Sequence, residues 1–140
     1  MAKNKGTIGI LTGGGDVPGL NPAIRALTIR ALSEGFEVLG IRRGWAGLVD
    51  LVPDKDTDNS DHVQPLTKEV VYRAARTGGT FIHTSRTRPS HLPRAVIPPH
   101  LVDRYQADIN DATADVLRNI EFLGIDYLIP IGGDDTLSYG

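Results

Sequence analysis

Hydrophobic positions along this chain come in two kinds of run, short continuous stretches of strand length and longer stretches spaced three or four residues apart. Residues 7–11 form the first short stretch, apolar enough to predict a strand buried on both faces. A helix should follow it. Pro18, Asn21 and Pro22 mark its start, Ile24, Leu27, Ile29, Ala31 and Leu32 recur at roughly helical spacing, and Gly35 stops it. Residues 36–41 read as a second strand, so the opening segment predicts a strand, helix and strand joined as a right-handed parallel crossover.

Beyond the second strand, residues 42–47 read as a loop carrying Gly44 and Gly47, and residues 50–61 as an exposed, aspartate-rich loop. Residues 67–76 predict a short helix with Thr67 as its cap. Gly78 and Gly79 precede a short apolar run at Phe81 and Ile82, and Thr84, Ser85, Arg86, Thr87 and Arg88 come directly after it. Four prolines in the eleven positions 89–99 predict an irregular excursion over the surface. Within residues 108–123, Ile109, Ala112, Val116, Ile120 and Leu123 step by three and four, the clearest amphipathic helix in the chain, with Gly124 as its cap. Residues 125–131 are a further strand, and Gly132, Gly133, Asp134, Asp135 and Thr136 leave its carboxyl end as a loop. Residues 136–139 read as the opening of another helix, so the chain is expected to be the amino-terminal portion of a longer protein.

Composition narrows the class. A length of 140 residues with 40% hydrophobic and 23% charged residues is that of one ordinary globular domain with a real core. A formal charge of −2 gives no general attraction to nucleic acid or membranes, so any anion must be captured locally. The absence of cysteine excludes disulfides and thiolate chemistry, and no apolar run approaches a membrane span, which together predict a cytoplasmic protein.

The candidate chemistry lies at the strand ends. Gly13, Gly14 and Gly15 follow the first strand, remove every Cβ from the turn and lead into a helix, so backbone N–H groups and the positive end of a helix dipole face one point. That arrangement suits a phosphate, although neither a Walker A loop nor a Gly-x-Gly-x-x-Gly pattern is present. In a parallel sheet the glycine loops after the three runs, at residues 13–15, 44–47 and 132–133, share one edge, where ligands bind. Asp134 is positioned in sequence to hold Mg²⁺, and Arg86 with Arg88 to fork onto a phosphoryl group. Together they point to phosphoryl transfer by positioning and charge neutralisation. Asp16 reads equally as a helix cap and as a metal contact, Trp45 reads as packing, and His62, His83, His91 and His100 read as solvated.

The run from Gly9 through Gly13, Gly14, Gly15 and Asp16 to Arg25 resembles the amino-terminal signature of the 6-phosphofructokinases. Three later blocks are similar to that family in the same order: residues 44–48, residues 78–80 with 84–86, and residues 129–137. The resemblance implies a Rossmann-like α/β three-layer sandwich with a mostly parallel sheet. It also implies that residues 1–140 are the phosphoryl-donor-binding domain of an enzyme that phosphorylates fructose 6-phosphate. By resemblance, Gly15 contacts the donor, Arg86 and Thr87 its phosphates, and Gly133, Asp134, Asp135 and Thr136 the donor again, with Asp134 on Mg²⁺ and Arg86 and Asp135 in the catalytic role. The family's catalytic base and most sugar contacts lie later in the chain, so the 140 residues alone should not turn over. Homodimers or homotetramers are implied for the full-length protein. Arg25 resembles an effector-binding position, but Ile29 stands where a second arginine is expected, which favours a surface or interface role.

Asp135 departs from the ATP-using pattern, which has glycine directly after the magnesium aspartate. A carboxylate there would crowd an α-phosphate. At about 4 Å and an effective dielectric near 20, two unit charges repel by roughly 4 kcal/mol, close to a thousandfold penalty. Pyrophosphate has no α-phosphate, and family members that use it resemble this sequence in carrying the second aspartate, so pyrophosphate is favoured over ATP as donor. The alternatives are an ATP-dependent enzyme of the same family, a non-catalytic nucleotide-binding module, and a dinucleotide-dependent oxidoreductase. Arg42 and Arg43 disfavour the last, because they stand where a ribose-binding acid should close the second strand.

Overall fold

Strand β1 (Thr7–Thr12) is buried at all six positions, which a mostly apolar strand tolerates only with a neighbour on each edge and a helical layer on each face. A computed structural model supplies all four. It describes residues 5–13, 20–74, 82–85 and 87–132. Strand β2 (Glu37–Ile41) lies parallel to β1, with Ile8 opposite Val38 and Leu11 opposite Ile41. Strand β6 (Tyr127–Ile131) lies parallel on the other edge, with Leu11 opposite Pro130. Strand β3 (Val63–Pro65) adds to β2 antiparallel, giving the order β3-β2-β1-β6. A mostly parallel sheet between helical layers is the predicted α/β fold.

Alternation along β1 sends Ile8 and Ile10 to one face and Leu11 to the other. Helices α1 (Leu20–Ser33) and α3 (Lys68–Ala74) cover the first face, where Ile24, Ala31, Val38, Leu66, Val71 and Ile82 form one core. Helices α2 (Trp45–Asp50) and α4 (Thr113–Phe122) cover the second, around Ile41, Trp45, Leu48 and Val116. Trp45 is a core residue, as expected. Pro130 is tolerated inside the sheet for a geometric reason. The Gly13 amide donates to the Ile131 carbonyl at 3.0 Å, so Tyr127, Ile129 and Ile131 face β1 and the missing N–H of Pro130 falls on the opposite edge.

The predicted elements need three corrections and one addition. Residues 42–47 are not all loop, because α2 begins at Trp45. Its two glycines serve close packing: a Cβ on Gly47 would collide with the Arg42 carbonyl oxygen. The loop predicted over 50–61 holds from residue 51, and β3 directly after it is an added edge strand, too short and too polar to carry an alternation signal. The helix predicted over 108–123 starts only at Thr113. Ile109–Asn110 (β5) instead pairs with Leu92–Pro93 (β4), and the Asn110 side chain bonds both backbone groups of Ala107 at 3.1 and 2.9 Å, while the Asp111 carboxylate accepts the Thr113 amide at 3.0 Å. The proline-rich excursion is irregular, with single turns at Arg94–Val96 and Pro99–Leu101, but it sends Leu92, Ile97 and Leu101 into the core. Thr67 caps α3 as predicted, its hydroxyl accepting the Val70 amide at 3.3 Å, and Gly124 ends α4 at φ +69°.

Two buried polar side chains hold the second helical layer. Asn119 of α4 donates from Nδ2 to the carbonyls of Leu48 and Leu51 at 2.6 and 3.0 Å, satisfying acceptors at the end of α2 that the short helix leaves open. Asp115, 4% exposed, pairs with Arg104 at 2.6 Å and accepts the Tyr105 hydroxyl, tying the excursion to α4. Burial, and then the hydrogen bond to Asp115, raise the Tyr105 phenol above its ordinary pKa of 10.0.

Replacing Asn119 by Ala strands two buried carbonyls, and urea unfolding should report a loss of roughly 2–4 kcal/mol. The raised Tyr105 pKa has a defined sign. Its stabilisation is complete below pH 10.0, the unfolded value, and is lost as pH rises through the higher folded value. Unfolding measured across that alkaline range should show a decline in stability that Tyr105→Phe removes.

Candidate functional site

The carboxyl ends of β1, β2 and β6 lie side by side, and the strand order turns back between β1 and β6 because β2 and β6 flank β1 on opposite edges. Crevices at such reversals are where open α/β sheets bind ligands. The hydrogen bond from Gly13 to Ile131 joins the stems of two predicted glycine loops at that point. The third stem is joined as closely. Gly44, at φ +58°, lies against the end of β1, where a Cβ would stand 2.5 Å from the Thr12 carbonyl oxygen, so only glycine fits.

A further segment, residues 82–85, is stitched across these ends. The Thr12 hydroxyl donates to the His83 carbonyl at 3.1 Å, the Arg43 amide to the Ile82 carbonyl at 2.8 Å, and the Ser85 hydroxyl to the Arg43 carbonyl at 2.6 Å. Arg43 and His83 both sit in the left-handed region, at φ +59° and +61°, and each is an acceptor or donor in this network. Strain of about 1–2 kcal/mol per residue persists there because neighbours on two strands over-determine it. The Arg43 guanidinium also pairs with Asp50 of α2 at 2.7 Å.

Of the predicted site residues, Thr87 is placed. It is half-buried, its amide lies 3.5 Å from the Ser85 hydroxyl oxygen, and it lines a cavity of about 250 Å³ with Arg43, Asp50 and Ser85. Gly15, Arg86, Gly133, Asp134, Asp135 and Thr136 lie outside the described residues, as does Asp16. The sequence reading missed the roles of Thr12, Arg43 and Asp50. A seven-residue separation between Arg43 and Asp50 across a glycine turn carries no periodic signal, and only the start of α2 at Trp45 brings them together. Among the described residues no group of three or more histidine, aspartate or glutamate side chains that could hold a metal occurs. His62 is half-buried rather than solvated, with its Nδ1 shielded from water and lacking a hydrogen-bond partner. Arg25 stacks over the exposed Tyr72 ring at 4.8 Å, a surface role on α1 away from the rim. No helix among the described residues is long and apolar enough to cross a membrane.

Comparison with known proteins agrees with this geometry. A phosphofructokinase family model matches residues 7–140. A pyrophosphate–fructose 6-phosphate 1-phosphotransferase of Dictyoglomus thermophilum is 40% identical over 134 residues, 96% of this chain and 31% of that protein. An ATP-dependent 6-phosphofructokinase 3 of Streptomyces coelicolor is 37% identical over 93% of this chain and 30% of its own length. The chain thus spans about a third of the curated relatives it matches, and relatives named for either donor stand at similar identity. Among solved structures, the Pichia pastoris phosphofructokinase in the T-state is similar with a TM-score of 0.73 and 27% identity, over 99% of this chain and 13% of that one.

Gly44→Ala should cost roughly 3 kcal/mol, since it combines a forced left-handed backbone with a collision against main chain. Chemical denaturation measures it. A loss no greater than that of a surface substitution would show that the rim relaxes where these contacts say it cannot.

Proposed function

Because the chain belongs to the phosphofructokinase family, we propose that it carries the phosphoryl-donor site of an enzyme transferring a phosphoryl group from pyrophosphate to the 1-hydroxyl of fructose 6-phosphate. The observation that carries this reading is the junction of β1 and β6, where the Gly13 amide meets the Ile131 carbonyl at 3.0 Å. That bond makes the triple-glycine turn and the loop bearing Asp134 and Asp135 depart from adjacent strand ends. In this reading the amides of one loop and the carboxylates of the other serve the same crevice. A short polyanion with a divalent ion is the ligand such a pairing suits.

Each group has one task in this reading. Gly15 and the amides around it bind the donor, Arg86 and Thr87 hold its phosphoryl oxygens, and Gly133 and Thr136 contact it again. Asp134 would hold Mg²⁺, which supplies charge neutralisation on the phosphoryl oxygens when bound. Arg86 stabilises negative charge on the transferring group, as a planar fork does better than a point charge. Asp135 selects the donor. Its carboxylate repels an α-phosphate by roughly 4 kcal/mol at about 4 Å under an effective dielectric of 20, and pyrophosphate presents none. Relatives of both donor types match this chain comparably, so the preference rests on Asp135 and its electrostatics.

In this reading the catalytic base and most of the sugar-phosphate contacts lie beyond residue 140 or come from a neighbouring subunit, and this chain spans 31% of the Dictyoglomus relative. Cytoplasmic location and a homodimeric or homotetrameric enzyme complete the proposal. Asp135→Gly in the complete polypeptide tests the donor assignment. The ratio of kcat/KM for ATP to that for pyrophosphate should rise by two to three orders of magnitude, about the factor that the charge repulsion corresponds to. A ratio that stays fixed would return the donor to ATP or leave its choice to other residues.

A further inference from the structure

The Arg43–Asp50 pair has no role in the assignments above, yet its position is unusual. In doubly wound sheets the sugar of a bound nucleotide lies beyond the carboxyl end of the second strand, while its phosphates sit at the helix start after the first. Here the second strand ends at Ile41, and Arg43 stands two residues past it, on the side of the sheet edge to which that rule assigns the sugar. Three separate bonds immobilise Arg43: its amide to Ile82, its carbonyl to Ser85, and its guanidinium to Asp50 at 2.8, 2.6 and 2.7 Å. The backbone is left-handed at a residue that is not glycine, so the side chain is held where it is against a local preference.

The space beside the pair is correspondingly small. Arg43, Asp50, Ser85 and Thr87 line a cavity of about 250 Å³, below the roughly 300–1,000 Å³ of pockets that enclose whole organic ligands. The cation and the carboxylate also neutralise each other, so the cavity offers no net charge to draw a polyanion deeper. In the reading above, a donor of two phosphoryl groups reaches this cavity only at Thr87 and needs none of the space beside Arg43 and Asp50. A nucleoside triphosphate needs it.

We propose that Arg43, latched to Asp50, is a second specificity-determining residue that closes the β2 side of the donor site against a nucleoside. This rests on the pyrophosphate-donor reading above. It differs from the part assigned to Asp135, which acts by charge at the α-phosphate, because the latch acts by occupying the path of the sugar and base.

The test uses the complete polypeptide and steady-state kinetics with both donors. Arg43→Gly removes the side chain while keeping a residue that tolerates φ +59°. It should raise the ratio of kcat/KM for ATP to that for pyrophosphate by about tenfold. Asp50→Asn, which keeps volume and removes the counter-charge, should move the ratio in the same direction by a smaller factor, and it serves if the first variant does not fold. Equal losses with both donors would mark a structural residue and overturn the latch. So would an unchanged ratio in a folded variant of either kind. A ratio that answers to Asp135→Gly and not to Arg43→Gly overturns the latch alone, whereas a wild-type enzyme that uses ATP and ignores pyrophosphate overturns the reading beneath it.

Discussion

The structure depends on keeping β1 dry on every side. Its six residues are buried, Ile10 and Leu11 completely, and a parallel strand in that position requires hydrogen-bonding neighbours on both edges and apolar cover on both faces. Those requirements set the rest. The edges are filled by β2 and β6, the faces by the α1 and α3 pair and the α2 and α4 pair. Even the start of the strand is closed in this way, since the Asp126 carboxylate accepts the Thr7 amide at 2.9 Å and the Asp126 amide donates to the Thr7 carbonyl at 2.9 Å. Once β1 has parallel neighbours on both sides, three loops must open at the same end. The candidate site is therefore a by-product of how one strand is buried.

Strain collects at that end rather than elsewhere. Among the described residues other than glycine, Arg43 and His83 alone have positive φ, and both belong to the network that joins residues 82–85 to β1 and β2. Each such backbone costs about 1–2 kcal/mol, comparable to one or two net hydrogen bonds. Those bonds are what the network supplies. The Arg43–Asp50 pair adds little to stability, because the arginine side chain is 46% exposed and pairs of that kind contribute about 0–1 kcal/mol. The backbone bonds of Arg43 to Ile82 and Ser85, and not this pair, fix its main chain.

Much of the fold was legible because the signals were strong where burial was complete. Strands at 7–11 and 36–41 and the helix ended by Gly35 are found within one or two residues of their predicted bounds, and Thr67 and Gly124 cap as read. Errors cluster where tertiary bonds override local pattern. Nothing in the spacing of Ile109 and Ala112 reveals that Asn110 is committed to Ala107 and Leu92, which delays α4 by five residues. Double glycine at 44 and 47 signals a loop, yet here it permits a helix to start against main chain. For the site, the order of the family's motifs was readable, while Gly14, Gly15 and Gly133 lie outside the described residues. The stitching of Thr12, Arg43, Asp50 and Ser85 was not, because it links residues up to 71 positions apart through backbone carbonyls.

Net charge adds a last constraint. At −2 overall the chain has no field with which to gather a polyanion from solution, so affinity in the proposed reading must come from groups within a few ångströms of the ligand. Local amides provide that without regard to what lies beyond the second phosphoryl, and would hold ATP and pyrophosphate alike. Selectivity then has to come from what is repelled or excluded. In the proposed reading a carboxylate at position 135 and the arginine at position 43 do so in two different ways, one by charge and one by volume.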